Sequence, residues 1–157
     1  MEESRKQEAK RKEKEATKEK IAAAKKEAES SLVLMEERYK RIKAEEESKD
    51  GLIIERCLFG MLATSEEDLK SDIEVGDEVI DITRQVQCCV ENSRLVLWEG
   101  SKSGLPGVWD PCPGDPDKWI LVKYFFKGAS HQLLCHEVDA IKLPKTSHKL
   151  PSIEKPS

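Results

Sequence analysis

The side chains best suited to chemistry lie in the second half of the chain. A Gly-rich run at 100–104 places Ser101, Lys102 and Ser103 between two glycines. A hydrolase nucleophile elbow needs serine at the centre of Gly-x-Ser-x-Gly, and lysine occupies that centre here. A Walker loop needs four spacer residues before Gly-Lys-Ser/Thr, and that order is absent. We therefore interpret the run as a turn and predict a non-enzymatic protein with no catalytic residue.

Metal binding is the second chemistry that the residue types suggest. Cys112, His131, Cys135 and His136 carry the softer ligand atoms that zinc prefers. On a strand, however, His131 and Cys135 share one face and His136 points to the other. No cysteines have the Cys-x-x-Cys spacing of a structural zinc site or redox motif. We predict no metal and no cofactor, and keep a site at Cys112, His131 and Cys135 as the alternative.

A loop rich in Gly and Pro, residues 100–117, is the better candidate for binding another protein. Its aspartates lack the regular spacing and the closing Glu of an EF-hand, so we interpret them as a rigid acidic turn. Trp109 is predicted to be an exposed anchor, because tryptophan dominates many interface hot spots. The candidate partner-binding residues of the loop are Leu105, Trp109 and Asp110. Trp98 and Trp119 are predicted to lie in the core.

The first third of the chain has a different composition. Residues 1–50 hold 15 of the 27 Lys and Arg and 14 of the 31 Asp and Glu, which leaves 12 and 17 for residues 51–157. Residues 2–47 contain no Gly or Pro and are rich in good helix formers. The first twenty have almost no apolar side chain and should be a solvated helix or disordered. The sequence therefore predicts a charged helical arm over 1–50 and a second, core-forming domain. The overall charge of −4 gives no general attraction to nucleic acid.

An apolar stripe runs along the later part of the arm. From Ala28 the spacing is four, three, four, three, a heptad pattern that continues through Leu32, Met35, Tyr39 and Ile42. One interpretation is that residues 28–42 pack onto the chain's own second domain; the other is a coiled coil with a partner. Leu32, Met35 and Tyr39 are therefore further candidate partner-binding residues. Gly51 is expected to supply the left-handed residue that ends the helix.

After Gly51 the hydrophobic period changes from that of a helix to that of a strand. We predict five antiparallel strands, at 52–61, 78–90, 94–99, 118–127 and 131–142. The second and third should form a hairpin, and the fourth, apolar on both faces, should be central. Residues 62–77 and 100–117 are predicted loops. The fold class is therefore α+β: a long charged helix, partly coiled coil, then one small β-domain over 51–148 and a disordered tail over 149–157.

Targeting signals give little help. No apolar run approaches the ~18 residues of a membrane-spanning helix. The N-terminus has no apolar signal core, and its glutamates are untypical of a mitochondrial transit peptide. If the chain reaches an organelle, these residues do not explain how.

The loop at 100–117 also carries a resemblance. Ser101–Gly107 followed by Asp110–Gly114 resembles the C-terminal domain of the DnaJ homologue subfamily C member eleven family. Matching pieces elsewhere follow in the same order: Gly51-Leu52-Ile53-Ile54, Phe59-Gly60, Ile82-Thr83, Val86-Gln87, Ser93-Arg94-Leu95, Val122-Lys123-Tyr124, Gly128, His131-Gln132, Leu143-Pro144 and His148. The likeness covers about residues 33–148. Val108-Trp109 departs from the Phe-Tyr expected in that loop.

The resemblance implies a protein-interaction or scaffold domain linked to mitochondrial membranes. Its expected partners are complexes that organise cristae and assemble the outer membrane. A J domain stimulates Hsp70 through a His-Pro-Asp turn, but the three histidines here precede Gln132, Glu137 and Lys149. We therefore expect a fragment, a truncated paralogue or a C-terminal product. The alternative is a soluble coiled-coil adaptor unrelated to mitochondria, and cytoplasmic.

Overall fold

The charged arm is one long helix. The computed structural model of the protein describes residues 2–62 and 75–150. Helix α1 spans Glu2–Ser48, so its 47 residues extend ~70 Å at the α-helical rise. Residues 3–20 are exposed on every face, which matches the predicted solvated helix. This exposed segment depends on helix propensity and on side-chain pairs such as Arg11–Glu8, at 3.8 Å.

Six strands, one short α-helix and two single-turn 3₁₀ helices, Lys102–Gly104 and Thr146–His148, follow α1 in the part of the chain that the structure describes. Their bounds are β1 Leu52–Gly60, β2 Val79–Asp81, α2 Thr83–Gln87, β3 Leu95–Leu97, β4 Trp119–Phe126, β5 Ala129–His136 and β6 Ile141–Leu143. Antiparallel pairing joins four of them in the order β2-β1-β4-β5, and β3 pairs with β6 in a separate sheet. Strand β4 therefore lies in the interior of the larger sheet, as its two apolar faces predict.

The main core lies between the two sheets and against α2. It contains Phe59 and Tyr124 of the larger sheet, Leu95 and Ile141 of the smaller one, and Val86 of α2, each at most 1% exposed. The opposite face of the larger sheet carries a smaller cluster around Leu58, Leu62, Val79 and Leu121. Two buried faces explain why β4 has no polar alternation in its centre.

The predicted strand over 78–90 is wrong beyond Asp81. The chain turns there, because the Asp81 Oδ1 atom accepts a hydrogen bond from the Thr83 backbone N–H at 2.9 Å. Ile82 and Val86 are both buried, and their spacing of four suits α2 as well as a strand. Within the described residues the predicted hairpin is reduced to one antiparallel bridge, between Glu91 and Arg94 on either side of the turn, and β3 pairs with β6 instead of β2.

Gln87 of α2 is fully buried. Its Nε2 atom donates to the Leu52 carbonyl at 3.2 Å, and its Oε1 atom accepts from the Ile54 N–H at 2.6 Å. The side-chain amide therefore satisfies the backbone of β1 as a neighbouring strand would. A register shift in the β1–β4 pairing falls next to this point, between Ile54 and Arg56.

The predicted last strand, 131–142, is two strands. A turn separates them, in which the Asp139 N–H donates to the His136 carbonyl at 3.0 Å. Strand β5 ends in the larger sheet and β6 begins in the smaller one, so the domain has two sheets. The predicted disordered tail over 149–157 is wrong at its start, because Lys149 and Leu150 pair with the outer edge of β5, at His131 and Ser130. The rest of that tail, 151–157, and residues 63–74 of the predicted 62–77 loop lie outside the described residues.

Helix α1 ends at Ser48, and Asp50 just beyond it adopts the left-handed conformation (φ 48°) that the sequence assigned to Gly51. Glycine is required at position 51 for a different reason. The side chains of Glu46 and Ser93 lie so close to its Cα atom that a Cβ there would collide with the Glu46 Oε1 and Ser93 Oγ atoms. Glu46 is 3% exposed, and its Oε1 atom accepts from the Leu52 N–H at 2.8 Å. Hydrogen bonds from Ser93, Leu52 and Lys49 lower its pKa by more than its burial raises it. This carboxylate fixes the arm to the start of β1.

Two tryptophan predictions differ in outcome. Trp98, predicted to be in the core, is 76% exposed, because it follows β3 on the face turned away from the larger sheet. Trp119 is half-buried and packs on the smaller cluster. Within residues 2–62 and 75–150, no helix is long and apolar enough to cross a membrane.

Candidate protein-interaction site

The 100–117 loop is held from beneath by a buried lysine. Lys102 is 2% exposed, and its ammonium group donates to three carbonyl oxygens: Trp98 at 3.0 Å, Gly100 at 2.7 Å and Glu137 at 2.9 Å. These acceptors satisfy the three N–H donors of the ammonium group. Burial lowers the pKa of Lys102, and nearby acidic groups oppose the shift. The residue at the centre of the Gly-rich run therefore holds the loop in place.

A second buried lysine fixes the far end of the loop. The Lys118 Nζ atom lies 2.6 Å from the Asp110 Oδ2 atom and 3.6 Å from the Glu137 Oε1 atom. Burial lowers the pKa of Lys118, but the hydrogen bond and charge of Asp110, with those of Glu137, outweigh it and leave the pKa raised. The Ser101 hydroxyl donates to the Glu137 Oε2 atom at 3.1 Å. Glu137 therefore connects both ends of the loop.

The middle of the loop packs against α1 and α2. Gly107 (φ 77°) lies close to both helices. A Cβ there would lie 3.0 Å from the Gln85 Cγ atom of α2, and 3.4 Å and 3.6 Å from the Met35 Sδ and Leu32 Cδ1 atoms of α1. The Gln85 Nε2 atom also donates to the Gly107 carbonyl at 2.8 Å. A larger residue would push the loop away from the arm.

Trp109, predicted to be an exposed anchor, lies against the arm and is only partly exposed. Its ring packs on the main core, and the Lys25 Nζ atom lies 5.9 Å from the ring centroid. Leu105 is half-buried beside it on the same core. Asp110 is half-buried, and both of its carboxylate oxygens already have partners within the chain. Its Oδ1 atom accepts a hydrogen bond from the Cys112 N–H at 2.8 Å, and its Oδ2 atom forms an ion pair with Lys118. Binding of a partner by these three residues stays a prediction.

The arm turns its heptad residues toward the chain's own domain. Leu32, Met35 and Tyr39 are half-buried, and Ala28 is 6% exposed. Further contacts on this face include the Cys88 thiol to the Met35 carbonyl and the Arg84–Glu36 ion pair at 3.3 Å. The adjacent Val33 and Leu34 are 75% and 85% exposed on the opposite side. These contacts support intramolecular packing of residues 28–42, and a coiled coil with a partner stays a prediction.

The arm and the loop leave an open groove between them. Its volume is about 370 Å³, and its walls are α1 residues on one side and the loop on the other. The α1 wall consists of Ala24, Glu27, Ala28 and Ser31, and the loop wall runs over 103–110. We call this the arm–loop groove. It brings Leu105, Trp109 and Asp110 together on one wall, whereas Leu32, Met35 and Tyr39 do not line it.

The alternative metal site does not assemble in the described ranges. No three His, Cys, Asp or Glu side chains there are arranged to hold an ion. His131 and Cys135 share a face of β5 but are four residues apart, about 13 Å along a strand, too far for one zinc ion. Cys112 instead approaches the Glu78 carbonyl at 3.7 Å. Burial raises the pKa of the Cys135 thiol to about 11.

Sequence reasoning missed the residues that build this site. Lys102, Lys118 and Glu137 are charged residues in or beside loops, where solvent exposure is the usual outcome. Nothing in their local sequence marks them as buried. The network becomes visible in the structure, where Glu137 contacts both lysines although it lies 19 or more positions from each in the sequence.

The comparisons with known proteins agree with the loop resemblance and extend it. The family model described as DnaJ-like protein C11, C-terminal, matches residues 12–144, so the likeness includes most of α1. The chain is 40% identical over 139 residues to DnaJ homolog subfamily C member 11 of Bos taurus and of Mus musculus, which is 88% of this chain and 24% of each relative. The Dictyostelium discoideum homolog is 32% identical over 126 residues, 80% of this chain and 22% of that protein.

The chain thus spans about a quarter of the length of these curated relatives. No solved structure matches it. The loop over 100–117, the part of the arm that packs on it and both sheets fall within the matched residues 12–144. The chain therefore belongs to the DnaJ-like protein C11 C-terminal family.

Proposed function

We propose that this chain is a non-catalytic protein-interaction domain of a DnaJ-like protein, and that the arm–loop groove receives its partner. One observation carries the proposal: a loop rich in Gly and Pro is fixed by two buried lysines so that it forms one wall of an open groove. A preorganised surface of this kind loses little conformational entropy when a partner binds. Residues along its loop wall, including Leu105, Trp109 and Asp110, are the candidates for contact.

The proposed setting is the mitochondrial membrane. The support is membership of the DnaJ-like protein C11 C-terminal family, together with the mitochondrial role that the resemblance at residues 100–117 implies. Cristae-organising and outer-membrane assembly complexes are the proposed partners. The coiled-coil adaptor remains the second candidate, for which the exposed Val33 and Leu34 offer an additional apolar surface on α1.

Two glycine substitutions test the groove. Gly104 lines the groove, and a Cβ built on it meets no atom within 4 Å. Gly104→Arg should therefore fill the groove without disturbing the fold. Gly76 is equally unobstructed and does not line the groove, so Gly76→Arg is the matched control.

The measurement is proximity labelling in cells with each full-length chain fused to the labelling enzyme. If the proposal is right, the parent chain and the Gly76→Arg control should both label subunits of mitochondrial membrane-organising complexes. That labelling should be lost with Gly104→Arg. Labelling of those complexes that is equal for both arginine variants contradicts the groove assignment. No enrichment with the parent chain contradicts the proposed partners.

A further inference from the structure

Four lysines form a row along the first half of α1. Lys6, Lys10, Lys14 and Lys18 follow one another at intervals of four residues, the spacing that places side chains next to each other on a helix. All four are exposed, and none forms an ion pair with a residue in the described ranges. Like charges at this spacing repel one another and oppose helix formation, so local stability does not explain the arrangement. We call these four residues the lysine row.

The lysine row lies on the side of α1 that faces the domain. Five full turns of an α-helix take about 18 residues, so residues at that separation share a side. Lys6 therefore shares a side with Ala24, which lines the arm–loop groove. Lys10 shares a side with Ala28, which is 6% exposed. The row thus continues, beyond the domain, the side of α1 that forms the groove.

The segment around the row has an excess of positive charge. Residues 3–25 hold nine of the 27 Lys and Arg and five of the 31 Asp and Glu, a net charge of +4, which leaves 18 and 26, or −8, for the rest of the chain. Three of the five glutamates share a side with exposed residues five turns later, away from the domain: Glu8, Glu15 and Glu19. Of the five, Glu3 and Glu13 flank the row, so its four cations outnumber them.

The shape of the molecule favours a narrow acidic partner. Residues 3–20 are exposed on every face and extend about 27 Å, so the lysine row and the domain form the two sides of an open corner. A flat bilayer along the row would collide with the domain, which lies on the same side of α1. A nucleic-acid duplex in the corner would face the rest of the chain, whose net charge is −8. A single protein segment is narrow enough to follow the row and enter the arm–loop groove.

We propose that the partner segment in the arm–loop groove continues as an acidic stretch along the lysine row. Its carboxylates would pair with the four lysines and relieve the repulsion between them. This role rests on the proposed function of the groove, and it adds the charge and the direction of the partner. Opposite sides of a helix are about 10 Å apart, beyond the screening length of about 8 Å at physiological salt. The side of α1 that carries the cations therefore decides the contact.

A charge reversal on one side of the helix tests the row in the full chain. Lys10→Glu with Lys14→Glu, the row variant, reverses the middle of the row. Arg5→Glu with Lys12→Glu is the matched control, because it makes the same change in net charge on the side away from the domain. Arg5 and Lys12 each share a side with an exposed residue five turns later. All four changes lie in the exposed part of α1, so the domain should fold in both variants.

The probes are a glutamate-rich peptide of about 18 residues, long enough to follow the row, and its twin with lysine in place of glutamate. Titration calorimetry gives the affinities, and backbone amide shifts locate the binding. The parent chain should prefer the acidic peptide about tenfold or more, with shifts over residues 6–18. The row variant should lose about tenfold or more of that affinity, and the control less than about threefold.

Equal losses of affinity in the two variants overturn the proposal, because the side of the helix would then not matter. Vesicles of phosphatidylcholine and phosphatidylglycerol, or duplex DNA, also overturn it if they bind the parent chain more tightly than the acidic peptide does and fail to bind the row variant.

Proximity labelling separates the row from the groove. If both assignments are right, the membrane-organising complexes labelled by the parent chain and by Arg5→Glu with Lys12→Glu should be lost with the row variant and with Gly104→Arg. Loss with Gly104→Arg alone supports the groove and overturns the continuation along the row. Loss with the row variant alone supports the row as the docking surface and contradicts the groove.

Discussion

The hydroxyl group of Tyr124 lies 2.7 Å from the Nδ1 atom of His148, and this contact ties the segment after β6 to the central strand β4. The Lys145 N–H donates to the same hydroxyl oxygen at 3.2 Å, so the Tyr124 proton is available for a neutral His148. His131 stacks on the Tyr124 ring, with 4.8 Å between centroids, and is 5% exposed. Its Nδ1 atom is paired with the Ala129 carbonyl at 2.8 Å. The segment is thus attached through the hydrogen bond between the Tyr124 hydroxyl and the His148 ring, which a neutral ring can accept.

Acid should detach this segment. Burial lowers the pKa of His148, and the charges of Lys145 and His131 lower it further. A lowered histidine pKa means that the unfolded segment binds the proton more tightly than the attached one. The stabilisation is therefore complete above about pH 6.5 and is lost as the pH falls through the lower pKa of the attached state. Amide exchange at Lys145 and Leu150, corrected for intrinsic rates, should accelerate over that range.

A variant without a titrating ring separates this effect from general acid unfolding. His148→Gln should flatten the pH dependence of exchange at Lys145 and Leu150, while exchange in β4 stays unchanged. Tyr124→Phe should accelerate exchange at Lys145 at every pH, because that N–H loses its acceptor. A pH dependence that survives in His148→Gln would assign the effect to another group.

Removing the charge of Asp110 should loosen the loop. Asp110→Asn leaves Lys118, whose side chain is 6% exposed, with Glu137 as its remaining carboxylate partner, at 3.6 Å. We expect a loss of about 2 kcal/mol in the free energy of unfolding, less than for a fully buried pair because Asp110 is half-buried. Asp117→Asn, an exposed change in the same loop, is the control. Urea denaturation of both variants measures the difference, and equal stabilities would show that the ion pair contributes nothing.

The amide of Gln87 should be needed for the shape of β1. Gln87→Met keeps most of the volume but leaves the Leu52 carbonyl and the Ile54 N–H without their partner. Unpaired buried groups of this kind cost about 1–3 kcal/mol each, so we expect the two together to lower the unfolding free energy by about 2–6 kcal/mol. Amide exchange at Ile54 should accelerate most. Gln132→Met on the half-buried outer side of β5 should change stability little, and a similar loss there would mean that packing rather than hydrogen bonding is responsible.

The sequence predicted those elements whose local pattern has one interpretation. Helix α1 follows from a long run without Gly or Pro, and β4 follows from a continuous apolar run. The run at 78–90 has two interpretations, because Ile80 and Ile82 alternate while Ile82 and Val86 also match a helical spacing. Tertiary structure decides between them, since only a helix there brings Gln87 onto β1.

The sequence indicated which loop forms the candidate site, but not how the loop is held in place. The loop and the residues Leu105, Trp109 and Asp110 were identified, yet the burial of Lys102 was not. Its three acceptors come from Trp98, Gly100 and Glu137, and no local pattern brings those carbonyls together. Contacts between residues distant in sequence decide whether such a charge is buried.

The arm allows a direct test of its two interpretations. Leu32 and Met35 face Gly107 and the domain, whereas the adjacent Val33 and Leu34 are 75% and 85% exposed. Leu32→Glu with Met35→Glu should lower the unfolding free energy by about 2–4 kcal/mol, because two half-buried apolar contacts are replaced by charges. Val33→Glu with Leu34→Glu introduces the same charges one helical position away and should leave stability within about 0.5 kcal/mol of the parent. Denaturation and light scattering, measured together, distinguish the outcomes: intramolecular packing predicts a loss of stability with no change in mass, whereas a coiled coil predicts that Leu32→Glu with Met35→Glu dissolves an oligomer and leaves the β-domain intact.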